Sequence, residues 1–307
     1  MLSRTASSLY WIGRYMERAE FTTRLVEATI RLAALGGHAH VEQAWLSALS
    51  VVGAPPLDTG KEGYGARRYL TLSPDHSGSI KSCIGLARDN ARAARTALTR
   101  EVWEAINRAW LMIQNRTSPG SVQQTLNLVE ELKAETRGFE GALARMLRSE
   151  GYWFMRLGSM IERGDATARL LDVKYYLLLP EGQAVGGKLD RDQWTTILDI
   201  VSAKTAYRHL YREGLKPWLV ADMLIFRREL PRSLIWTAEQ IVDLLGEFGH
   251  RSGRQGPADR QARQRLAKLD ELEVRTVFRG GLHQWLQAYV RQNNALGEAI
   301  AGQFRFA

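Results

Sequence analysis

Apolar residues along this chain recur at three- and four-residue intervals from end to end, and no stretch alternates apolar with polar as a half-buried strand would. The pattern predicts an all-α protein, a helical bundle of about ten helices. The first helix is expected from Ser3 to Leu35, stopped by the glycine pair that follows, and the second from His40 to Val52, stopped by "GAPP". "LDTGKEGYG" (57–65) reads as a loop, and 77–98 and 100–115 as a helix pair turning near Thr99. "RTSPGS" closes that pair, with Ser118 as the next cap and Pro119 at the first helical position. Helix continues through 122–149 into a long segment over 152–179. "PEGQAVGG" (180–187) is the clearest linker, and Asp190 with Gln193 forms a capping box opening the next helix. Pro217, Pro231 and the pair Gly280–Gly281 punctuate the rest.

Laid over this pattern is a repeat. "GRYMERAEFTTRL" (13–25) aligns with "GSMIERGDATARL" (158–170), with Gly13/Gly158, Glu17/Glu162, Arg18/Arg163, Thr22/Thr167, Arg24/Arg169 and Leu25/Leu170 identical and Glu20/Asp165 both acidic. Further on, "EQAWLSAL" faces "RDQWTTIL", and "YLTLSPDHSGSI" faces "MLIFRRELPRSL". A tandem duplication explains this economically. One all-α domain is expected over 1–307, its first repeat about 1–140 and its second about 141–307. Each half opens with a motif helix, and the two should pack about a pseudo-twofold axis that brings both Glu-Arg steps into one central region.

On a helical wheel Gly13, Glu17, Glu20 and Arg24 share one stripe, with Arg18, Thr22 and Leu25 beside it and Ile12, Met16, Ala19, Val26 and Ile30 on the core face. The second copy gives the same wheel. Three chemistries suit such a strip. Glu17, Arg18, Glu162 and Arg163 can form interhelical ion pairs that fix register. The same four can act on peptides or amides, a glutamate as base and an arginine as anion clamp, with Glu20, Arg24, Asp165 and Arg169 holding ligand. Alternatively, "ERAE" and "ERGD" place carboxylates three apart on two helices, as in Mg²⁺-dependent phosphate chemistry, although Arg18, Arg24, Arg163 and Arg169 bring positive charge to the same place.

Composition narrows the field. The net charge of +9 is carried by 34 arginines and only eight lysines, a balance suited to carboxylate or phosphate partners. "RSGRQGPADRQARQR" lacks interleaved aromatics and reads as a solvated basic face, not a nucleic-acid surface. The six histidines show no metal-ligand spacing beyond "HAH", and the lone cysteine, Cys83, reads as a small core residue. One cysteine, no leader-like start and no apolar run of membrane length lead to the expectation of a soluble, cytoplasmic protein with no resident cofactor.

"LYWIGRYMERAEFTTRL", "MIERGDATARLLDVKYY" and "FRRELPRSLIW" resemble the alpha-E domain family, all-helical bacterial proteins named for a Glu-Arg motif, over nearly the whole chain. One departure is local. Where the family tends to have Asn-Pro and then serine, this chain reads "SPDHSGSI" in its first half, while the second keeps "LPRS". The resemblance implies partners: a circularly permuted ATP-grasp ligase and a transglutaminase-like protein, in a system that handles peptide or amide bonds. It thus implies an accessory or binding subunit of that system, with a peptide as a candidate ligand.

Overall fold

The computed structural model describes residues 1–35, 38–55, 57–177 and 187–306, and among them fourteen α-helices, two short 3-10 turns and no strand. The first half holds α1 (Ser3–Ala33), α2 (His38–Val51), α3 (Tyr64–Leu72), α4 (Ile80–Ala93), α5 (Arg100–Ile113) and α6 (Val122–Ala144). The second holds α7 (Glu150–Leu177), α8 (Lys188–Ile200), α9 (Lys204–Tyr211), α10 (Pro217–Phe226), α11 (Leu234–Ser252), α12 (Pro257–Asp270), α13 (Val274–Arg279) and α14 (Leu282–Gln303).

Helices α1 and α7 are the spine. Each packs on the other, α1 also on α4 and α6, and α7 also on α11 and α14, so the halves share one plan. They exchange neighbours too: α1 packs on α8 and α7 on α2. The largest apolar cluster accordingly mixes Phe21, Leu25 and Trp45 of the first half with Leu171, Trp194 and Leu224 of the second. Helix α1 is buried around most of its circumference, polar stripe included. Thr23 and Thr29 survive there because their hydroxyls donate to Ala19 O and Leu25 O one turn back.

Several boundaries differ from expectation, each for a local reason. The 57–65 stretch is partly ordered, with a 3-10 turn at Lys61–Gly63 leading into α3 at Tyr64. Ser121, not Ser118, caps α6: it closes a box with Gln124, and Gly120 takes the left-handed turn (φ 70°) that delivers the chain. Asp190 lies inside the first turn of α8 and is buried, Gly187 standing at the cap. Most of the 180–187 linker lies outside the described residues. In the basic stretch Arg265 is buried over the Tyr289 ring instead of solvated. Cys83 is a core residue, and burial pushes its thiol up to about 12. Among the described residues no helix is long and apolar enough to cross a membrane.

Two connections matter for the site. The α3–α4 loop (73–79) and the α10–α11 loop (227–233) have equal length, and each ends on a serine that caps the next helix, Ser79 and Ser233. In both, that serine's N–H donates three residues back, to His76 O and to Leu230 O, at 2.9 Å. Gly78 and Arg232 therefore hold matching places.

Candidate functional site

The spine helices cross where the two motif glycines meet. A Cβ on Gly13 would sit 1.9 Å from Met155 O, and one on Gly158 would sit 2.0 Å from Tyr10 O. Each glycine thus lies on the other helix's backbone, and the contact is the same read from either side. Ser159 ties the crossing by donating to Gly13 O.

One turn further along each helix the glutamates exchange arginines. Arg163 donates through Nε and Nη2 to the two oxygens of Glu17, at 2.8 and 2.6 Å. Arg18 donates in the same forked manner to Glu162, at 2.6 and 2.9 Å. The sequence places Glu and Arg side by side, but adjacent helical residues point about 100° apart, so each reaches the opposite copy. Glu17 and Glu162 are each only 4% exposed. Burial by itself would raise the Glu162 pKa, but Arg18 and Arg14 outweigh it and hold that carboxyl at about 2. Burial likewise opposes charge on Arg163, and Glu17 more than compensates.

Around this core the two sides diverge. Glu20 pairs with Arg24 on its own helix and accepts from Arg232 Nη2 at 2.7 Å, while Arg232 Nη1 reaches Glu17 at 3.3 Å. Burial is offset at Glu20 by Arg232 and Arg24, which lower its pKa. Asp165 pairs with Arg169 at 2.6 Å, yet its Oδ1 is buried with no protein partner. Burial accordingly raises the Asp165 pKa, against the pull of Arg169. Arg14 supplies the extra cation on this side, donating to Glu162 at 2.8 Å. A cavity of about 320 Å³ opens here between Arg18, Thr22, Gly78, Glu162, Asp165 and Arg169. On the Arg232 side the space between Glu17, Glu20, Arg163 and Arg232 is about 40 Å³.

All eight residues singled out in the sequence therefore gather at the crossing. Arg14 and Arg232 were not singled out. Arg14 stands one turn before Arg18, so its spacing was a usable signal, whereas nothing local names the partners of Arg232, more than 200 residues away in sequence. The acids do not fit a divalent cation: guanidinium groups take both oxygens of Glu17, Glu20 and Glu162 and one of Asp165, which leaves one free carboxylate oxygen where Mg²⁺ needs several ligands. Among the described residues no group of three or more His, Cys, Asp or Glu is placed to hold a metal.

Fold and crossing together define an all-α protein of two interlocked repeats joined by exchanged Glu–Arg pairs. Residues 1–304 match the Alpha-E family, described as a predicted alpha-helical domain with a conserved ER motif, and the chain belongs to that family. It is similar to an uncharacterized protein, Mb2597, of Mycobacterium bovis, with 24% identity over 300 residues that cover 88% of this chain and 33% of that protein. Uncharacterized protein Rv2567 of Mycobacterium tuberculosis matches with the same identity and coverage. The chain thus spans about a third of the length of these curated relatives. No solved structure matches.

Proposed function

We propose that this chain is a non-catalytic binding module, an accessory subunit of an ATP-grasp-linked system that forms peptide or amide bonds, with the Glu–Arg crossing as its frame. One observation carries the non-catalytic part: every carboxylate oxygen of Glu17 and Glu162 accepts from a guanidinium. A general base needs a pKa near the working pH, and Arg18 and Arg14 hold Glu162 at about 2, far below it. Glu17, Arg18, Glu162 and Arg163 then hold the two halves in register and leave recognition to the groups beside them.

The partnership is supported by the family resemblance and by length. In the mycobacterial relatives the region similar to this chain shares a polypeptide with a further two thirds of sequence, as suits a module that works beside another unit. An ATP-grasp ligase is the partner of this reading, and a transglutaminase-like protein a second. Co-expression with the ATP-grasp protein of the same genome, followed by size-exclusion chromatography and a ligase assay, tests it. Co-elution with altered ATP turnover is expected. Separate elution with unchanged turnover would overturn the partnership. Amide hydrolysis or transfer by the purified chain, abolished in Glu17→Gln while folding persists, would overturn the non-catalytic reading.

A further inference from the structure

The internal repeat acts as a template for reading the open cavity. Because the crossing is pseudo-twofold, each feature of the Arg232 side has a counterpart on the other. Arg232 comes from the α10–α11 loop and sets its guanidinium on Glu20 and Glu17. Gly78 holds the matching place in the α3–α4 loop and sends nothing toward Asp165 and Glu162. Thr167 donates to Arg232 O at 3.0 Å, whereas its counterpart Thr22, fully buried, has an unpartnered hydroxyl. Ser202 accepts from Arg24, and the position matching it after α2 is Gly53, whose Cβ would lie 3.9 Å from Arg169 Nη1. In two places glycine stands where the second half carries a polar side chain, and the about 320 Å³ cavity results.

The polar atoms left over point the same way. Asp165 Oδ1, Thr22 Oγ1 and His76 Nε2 are buried without protein partners, and all three residues line this one cavity. Burying such groups unpaired costs free energy, so the site is built for something that pairs them. All three atoms can accept a hydrogen bond, His76 when that ring nitrogen carries no proton. Burial, with Arg18 close by, lowers the His76 pKa and favours that neutral form. A set of acceptors beside a carboxylate calls for a cationic donor. Arg18 and Arg169 line the same space and call for an anion. The volume lies at the small end of the range for small-molecule sites.

We infer that this cavity binds a small zwitterion of the basic amino-acid type: its guanidinium or ammonium group takes the place that Arg232 fills in the other half, against Asp165, and its carboxylate faces Arg18 and Arg169. The two halves then differ in kind. In one, Arg232 completes both Glu17 and Glu20; in the other, Arg14 completes Glu162 while Asp165 takes its second cation from solution. The site needs neither the ATP-grasp partner nor catalysis, so it stands or falls separately from them.

Isothermal titration of the purified full chain with L-arginine, L-lysine, agmatine and L-citrulline tests this. Arginine or lysine should bind. Citrulline, which keeps the shape and carboxylate but is uncharged at the tip, should bind arginine's site at least about tenfold more weakly, as expected for loss of a buried charged hydrogen bond. Agmatine, which lacks the carboxylate, should also bind more weakly than arginine. Asp165→Asn should lose binding by a similar factor while keeping its melting temperature. Gly78→Arg should abolish binding by supplying the missing plug, with Gly78→Ala as the control for crowding of His76, whose ring a Cβ there would approach to 2.8 Å. No heat from arginine or lysine, citrulline equal to arginine, or wild-type affinity in Asp165→Asn would overturn the cation site. Agmatine equal to arginine would overturn the carboxylate contact. If Gly78→Arg fails to fold, Asp165→Asn still decides.

Discussion

At the scale of single residues the crossing depends on charge that has no solvent to fall back on. Glu17→Gln strands Arg163 and loosens Arg232, and breaking a buried pair from one side costs about 3–5 kcal/mol. The variant should melt well below the parent by differential scanning calorimetry. Pairing it with Arg163→Met should recover much of the loss, because the stranded guanidinium charge is then gone. Glu162 adds a pH dependence. Its carboxyl moves from the ordinary 4.5 when unfolded to about 2 in the fold, so between those values the unfolded chain binds more protons. The resulting stability is complete above about 4.5 and is lost as pH falls toward 2. Urea melts across that window should steepen this loss in the parent and flatten it in Glu162→Gln, which should also be less stable at neutral pH. Asp165 works in the opposite sense: its raised pKa makes the folded state the better proton acceptor as pH falls.

At the scale of elements, the glycines decide how closely the spine helices approach. Gly13→Ala or Gly158→Ala puts a methyl group about 2 Å from a backbone carbonyl that cannot move without parting the helices. Either should destabilise by at least the roughly 1–3 kcal/mol of an overpacked core, and should weaken both Glu–Arg pairs with it. Gly141 in α6 is the contrast. Nothing lies within 4 Å of its would-be Cβ, and Gly141→Ala should raise stability by about 0.5–1 kcal/mol in denaturant unfolding. Helix boundaries show how far local sequence reaches. The ends of α1 and α2 and the cap at Thr99 lie within two residues of where the pattern puts them. Ser118 and Asp190 are legitimate caps by composition. They lose to Ser121, which has Gln124 in reach, and to burial of Asp190, and both outcomes depend on the path of the chain.

At the scale of the molecule, the exchanged pairs join the halves. Glu17 and Glu20 take arginines from α7 and the α10–α11 loop, while Arg14 and Arg18 spend theirs on α7. Glu20–Arg24 and Asp165–Arg169 pair within their own helices, but Glu17 and Glu162 each find their arginines only in the other half. Cutting the chain in the connection between Ala144 and Glu150 should therefore give two fragments that lack a cooperative thermal transition by circular dichroism when separate and regain one when mixed in equal amounts. A cooperative melt from residues 1–146 alone would show that the half carries its own stability and that the exchange is secondary.

The sequence by itself determined the helical class, the repeated Glu-Arg motif and the eight charged residues that meet at the crossing, because apolar spacing is a local property and a duplication leaves identical letters at fixed offsets. It also set Gly78 opposite Arg232 in the aligned loops. Only the tertiary structure decided which Glu takes which Arg, since adjacent residues on a helix point apart and the partner arrives from the other copy. It alone turned the glycine for arginine exchange into a cavity beside unpaired acceptors. An empty volume is a relation among α1, α2, α7 and the α3–α4 loop, and no segment of the chain carries it alone.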